Sequence, residues 1–125
     1  MKNCLTIAGS DCSGGAGIQA DLKTFSALGC YGMSAITSVV AENTGRVISS
    51  MSVSPSVIYD QLEAVFSDIR VDAVKIGMLP DAGAMHAVTA ALMKFDPEIV
   101  VCDPIIAATA GTELMQGAAL STFIN

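Results

Sequence analysis

Apolar and polar positions change their period repeatedly along the chain, and the changes mark out alternating strands and helices. Leu5-Thr6-Ile7-Ala8 is a short apolar run that reads as a strand. Beyond a glycine-rich loop, Ile18, Leu22 and Phe25 recur at helical spacing, and Gly29 closes that segment as a helix C-terminal glycine does. Met33 to Ala41, MSAITSVVA, is apolar and β-branched with the length of one buried strand, and it ends in the polar turn Glu42-Asn43-Thr44-Gly45. Val47 to Val53 is a weaker strand that reads as an edge or a flap over a site. Ser54 caps a helix with Pro55 at its first position, and Ile58, Leu62, Val65, Phe66 and Ile69 form its apolar face. Val71 to Ile76 is a further strand running into Gly77-Met78-Leu79-Pro80. Asp81 caps a helix whose inner face is Met85, Val88, Leu92 and Phe95. Ile99 to Cys102 is a short apolar strand ending at Asp103-Pro104, followed by a loop of small residues and the beginning of another helix.

Alternation of this kind predicts an α/β domain with a parallel sheet. Ligands in such sheets bind beyond the carboxyl ends of the strands. The expected tips are the loop after Ala8, Glu42-Asn43-Thr44, Gly77-Met78 and Asp103, so four strands deliver polar or glycine-rich residues to one edge. The first tip, residues 9–21, GSDCSGGAGIQAD, leads into a helix starting near Ala16. By itself this loop suits a small polar or anionic ligand at a helix N-terminus. Gly15-Ala16-Gly17-Ile18-Gln19-Ala20 also matches a relaxed dinucleotide fingerprint, GxGxxA. However, Ser10 to Gly14 separate it from the strand, and Asp11 would repel a pyrophosphate. No GxxxxGK[ST] phosphate loop is present, and His86, the one histidine, sits mid-helix as a solvated residue. Asp11, Asp21, Glu42 and Asp103 suit a ligand with ring nitrogens or an amine, or Mg²⁺ carrying phosphates.

Composition narrows the partners. The 125 residues correspond to one domain, and 52% hydrophobic with 14% charged residues fits strands covered by helices, or part of a domain lacking its covering half. A net charge of −6 with six scattered Lys and Arg argues against nucleic acid. No apolar run reaches the roughly 18 residues of a membrane span, and Asp11 interrupts any signal-peptide core, so the expected setting is cytoplasmic, with no membrane partner. Cys4, Cys12, Cys30 and Cys102 lack metal-ligand spacing and read as reduced thiols, with Cys12 nearest the site.

Four strings, LTIAGSDCSGGAGIQADLKTFSALG, ITSVVAENTG, VKIGML and IVVCDPIIAATAG, closely resemble the N-terminal half of the hydroxymethylpyrimidine/phosphomethylpyrimidine kinases of thiamin biosynthesis. These enzymes are ribokinase-like, with pyridoxal kinases as near relatives. The resemblance implies a three-layer α/β fold, a mostly parallel sheet with helices on both faces, with residues 1–125 forming the N-terminal part of a single kinase domain. It also implies transfer of the ATP γ-phosphate to an aminopyrimidine hydroxymethyl group and then to the monophosphate. On this basis Gly9, Asp21, Glu42 and Met78 bind the pyrimidine, and Asp103 lies near Mg²⁺ and the phosphates. The glycine loop faces the pyrimidine, not ATP.

Three departures from the family pattern stand out. Glu42 replaces a Gln found in many relatives, and an ionised carboxylate there would favour a ring-protonated pyrimidine through two charge-assisted bonds. Thr109 and Ala110 stand where some relatives have a Lys and a hydroxyl residue. The sequence ends at Asn125, where family members continue into the ATP pocket, the anion hole and the catalytic base. The 125 residues alone are therefore expected to be inactive. The rival readings are a pyridoxal or pyridoxine kinase, and a non-catalytic pyrimidine-binding module that completes its sheet with a second chain as a homodimer.

Overall fold

The apolar run at the N-terminus becomes a strand at the centre of the sheet, β1 (Asn3–Ala8), with Leu5 and Ile7 fully buried. A computed structural model describes residues 1–103; Thr109, Ala110 and the loop and helix expected after Asp103 lie outside the described residues. Helix α1 (Gly17–Ala27) follows, then β2 (Tyr31–Ile36), β3 (Ser38–Glu42), β4 (Val47–Ser52), α2 (Pro55–Asp68), β5 (Ala73–Ile76), α3 (Ala82–Phe95) and β6 (Val100–Cys102). Strands β2, β1, β5 and β6 pair in that order, all parallel, whereas β3 and β4 form a separate antiparallel hairpin.

Two layers of helix sandwich the sheet. Leu5, Ile7, Met33, Ala35, Val74 and Ile76 turn to one face and pack with Ile58 and Leu62 of α2 and Met85, Val88 and Ala91 of α3. This apolar body is the main core, extended at its rim by the stacked rings of Phe66 and Phe95, 4.9 Å apart. Thr6, alternating with Leu5 and Ile7, faces α1 on the other side, where its hydroxyl donates to Asp21. The caps read from the sequence are in place: Ser54 Oγ accepts from Val57 N and Asp81 Oδ1 from Ala84 N. Among the described residues no helix is long and apolar enough to cross a membrane.

One element differs from its sequence pattern. Met33 to Ala41 is not a single strand but two, broken at Thr37. Beyond Ile36 the sheet edge is closed by a side chain: Gln61 of α2 accepts from Ile36 N at 2.8 Å and donates to Ile36 O at 2.9 Å, taking the place of a neighbouring strand. Thr37 then anchors the chain as it leaves the sheet. Its N–H donates to Ala8 O, its carbonyl accepts from Val53 N, and its hydroxyl donates to Met78 O at 2.7 Å. The tip bearing Glu42 therefore belongs to the hairpin and not to the parallel sheet. Smaller differences concern β5, which begins at Ala73 instead of Val71, and β6, which begins at Val100.

Candidate functional site

The carboxyl ends of β1 and β5 meet at Gly9 and Met78. Gly77 N donates to Ile7 O, which sets the two strand ends side by side, and Asp103 N donates to Ile76 O at the end of β6. Met78, buried at 6% exposure, lies so close to Gly9 that a Cβ added there would come within 2.5 Å of Met78 Cε. Gly9 is itself buried, and its lack of a Cβ is what lets the Met78 thioether pack against its backbone.

Glu42 ends β3, next to the loop that follows Gly9. Residues 10–12 run along β3: Ser10 N donates to Ser38 O (2.8 Å), Val40 N to Ser10 Oγ (3.2 Å), and Glu42 N to Cys12 Sγ (3.4 Å). The hairpin register slips between Ala41 and Glu42, and such an irregularity re-aims the side chain at its end. The Glu42 carboxyl is pushed above the ordinary glutamate range by burial and by the charge and hydrogen bonding of neighbouring Asp11.

The glycine loop is not an anion cradle. Asp11, 5% exposed, already supplies the anion: Oδ1 accepts from Ser13 N (2.9 Å) and Ser13 Oγ (2.7 Å), and Oδ2 accepts from Gly15 N (3.0 Å). Burial would raise this carboxyl, but the bonds from Ser13, Ala16 and Gly15 outweigh it and hold Asp11 below the usual aspartate range. Ile18 N is met by Gly9 O and Ala20 N by Ala16 O, and Gln19 Oε1 accepts from Asp11 N, so the first turn of α1 is already partly engaged by the loop itself.

Asp21 lies one turn into α1, as its position predicts, but it is engaged. Its Oδ2 accepts from Thr6 Oγ1 at 2.6 Å and pairs with Lys75 Nζ at 2.9 Å, the two side chains being 18% and 22% exposed. Thr6 and Lys75 are register partners on adjacent strands, so Asp21 pins α1 to the sheet directly beneath the site edge. Asp103 is exposed, and among the described residues no group of three or more Asp, Glu, His or Cys is arranged to hold a metal. All four cysteines are free, and Cys12 is exposed with its thiol donating to Glu42 O at 3.1 Å. Thr37, Lys75 and the full role of Asp11 escape a reading by motif. The available signals were a lone Thr and a lone Lys in apolar runs, and the Asp-x-Ser-Gly turn pattern at Asp11.

Three layers, a parallel sheet and a separate hairpin beside its strand ends make an α/β fold of the ribokinase-like kind. Solved structures agree. A phosphomethylpyrimidine kinase from Clostridium difficile 630 superposes with a TM-score of 0.93 at 46% identity, covering 99% of this chain and 54% of that one. The pyridoxal kinase from Staphylococcus aureus in complex with AMP-PCP and pyridoxal superposes at 0.74 with 39% identity, covering 84% of this chain and 40% of that one. The chain belongs to the phosphomethylpyrimidine kinase family, whose profile matches residues 11–125. It is 50% identical over 120 residues to the hydroxymethylpyrimidine/phosphomethylpyrimidine kinase of Escherichia coli K12, covering 96% of this chain and 45% of that enzyme. The chain thus spans about half the length of the relatives it matches.

Proposed function

We propose that the protein phosphorylates a hydroxymethyl-aminopyrimidine and its monophosphate with ATP, and that residues 1–103 hold the ring. The observation that supports this is the packing of Met78 on Gly9 at the strand ends, with residues 10–12 beyond it bonded along the strand that ends in Glu42. On this reading Glu42 supplies an acceptor for the amino group of the ring. Asp21 acts from below, holding α1 and the glycine loop in place through Thr6 and Lys75. Family membership and the nucleotide-analogue complex of the related pyridoxal kinase support ATP as phosphoryl donor.

Mg²⁺ belongs to this reading because it neutralises charge on transferring phosphates. It binds through one or two carboxylates plus phosphates, which a single exposed Asp103 fits better than an all-protein cage would. In-line transfer to the hydroxymethyl oxygen also needs a base.

A second reading, pyridoxal phosphorylation, draws support from the likeness to the pyridoxal kinase. Pyridoxal has no exocyclic amino group to satisfy Glu42. Titrating the protein with 4-amino-5-hydroxymethyl-2-methylpyrimidine and with pyridoxal, followed by amide shifts of Gly9, Glu42 and Met78, separates the two. The pyrimidine is expected to bind more tightly, and preference for pyridoxal, or shifts that bypass these three residues, would overturn the assignment.

A further inference from the structure

Asp21 is held by only one of its two oxygens. Thr6 Oγ1 donates to Oδ2 at 2.6 Å and Lys75 Nζ meets the same atom at 2.9 Å, whereas Oδ1 makes no hydrogen bond among the described residues and is not sealed from solvent. Carboxylates that tie down local backbone here spend both oxygens. Asp11 takes Ser13 on Oδ1 and Gly15 on Oδ2, and Asp72 takes Asn3 N on Oδ2 while Oδ1 faces Lys2 and Arg70. The Asp21 pair also stands nearer the strand ends than its place in the sequence suggests. Lys75 reaches along β5 toward its carboxyl end: a Cβ built on Gly77 would lie 3.0 Å from Lys75 Nζ. The ammonium is therefore level with the residue before Met78, and the missing side chain of Gly77 gives it room.

We infer that Lys75 is a positioning residue for ring binding: its ammonium, with the Thr6 hydroxyl, holds Asp21 Oδ2 so that Oδ1 is left at the strand ends as the acceptor for an N–H or O–H of the substrate. This rests on the reading of these strand ends as the ring site. Two donors from adjacent strands meet on Oδ2, and together they fix where the carboxylate sits; both lone pairs of Oδ1 are then available to a further donor. Without Lys75 the Thr6 hydroxyl is the sole tether, and the carboxylate can turn about it. A bond to a charged acceptor depends on that placement, so loss of Lys75 should weaken ring binding about tenfold or more although Lys75 itself donates to Asp21 and not to the ligand.

The test follows the Asp21 carboxyl carbon by ¹³C resonance in the 125-residue chain. Without ligand, this resonance is expected to move in Lys75→Met and to return toward the parent position in Lys75→Arg, which keeps the cation. On titration with 4-amino-5-hydroxymethyl-2-methylpyrimidine it should shift together with the Gly9 and Met78 amides. Affinity should fall about tenfold or more in Lys75→Met and be largely recovered in Lys75→Arg. A carboxylate that served only to pin α1 would not respond to the ligand. An Asp21 resonance indifferent to Lys75→Met overturns the inference before any ligand is added. Shifts at Gly9 and Met78 with an unmoved Asp21 carboxyl overturn it and leave the ring site standing. Failure of the pyrimidine to bind the parent overturns the reading of the site and this inference with it. If Lys75→Met does not fold, the parent and Lys75→Arg titrations decide by the same criteria.

Discussion

Replacing Gly17 by Ala tests how the glycine loop is held. Gly17 has φ +58°, and a Cβ built on it would run into Gly9 O, the carbonyl that accepts from Ile18 N at 3.0 Å. Three costs combine: a left-handed conformation for a residue with a Cβ, about 1–2 kcal/mol; loss of the Ile18–Gly9 hydrogen bond, about 0.5–1.5 kcal/mol; and displacement of Gly9 toward Met78. The expected destabilisation is about 2–3 kcal/mol. Gly29 provides the control, since its φ is +75° but nothing lies within 4 Å of its would-be Cβ. Gly29→Ala should cost only the conformational share, about 1–2 kcal/mol. Urea unfolding of both variants and the parent measures the difference, with the Gly17→Ala midpoint about 1 M or more below the parent. Equal losses for the two substitutions would refute the argument, because the collision with Gly9 O is what sets them apart. Pyrimidine affinity should drop in Gly17→Ala and stay unchanged in Gly29→Ala.

Other expectations concern the posts around the site. Thr37→Val leaves the buried Met78 carbonyl without the Thr37 hydroxyl; it should cost about 1–3 kcal/mol in urea melts and shift the Met78 methyl resonance. Lys75→Met removes the partner of Asp21 and should destabilise by about 1–3 kcal/mol, with Asp21→Asn in the same chain recovering part of the loss in a double-mutant cycle. Alkylation of the exposed Cys12 should weaken pyrimidine binding by pushing Glu42 N and O off the thiol; unchanged affinity after complete labelling would contradict the strapping of β3. The pH dependence of stability should have two opposite slopes. Asp11, held below its ordinary value, adds stability that is present above the unfolded aspartate pKa and lost as pH falls toward its folded pKa. Glu42, held above its ordinary value, binds its proton more tightly when folded, so stability declines as pH rises from the ordinary glutamate pKa through the raised one. Chemical denaturation across pH should show the second slope vanish in Glu42→Gln.

Much of this protein is set by local sequence. The periods of Ile58-Leu62 and Met85-Val88-Leu92, the caps Ser54 and Asp81, and Gly29 at the end of α1 each act within a few residues, and those elements appear where the sequence places them. The motif strings also carry the family. What local pattern could not reveal depends on partners far along the chain. The break at Thr37 needs Gln61 to close the sheet edge and needs Ala8, Val53 and Met78 to hold the threonine, whereas MSAITSVVA alone has the composition of one strand. Asp21 looks like a free carboxylate until Lys75, 54 residues away, is brought against it by the register of β1 and β5. The three glycines of the loop suggested an empty cradle for an anion; folding placed Asp11 in it. The sequence by itself determined most of the elements and the family, because these follow from backbone preference and residue type. Tertiary structure alone decided which partners hold Asp21 and where the chain leaves the sheet, because those outcomes depend on distances between segments that no local spacing encodes.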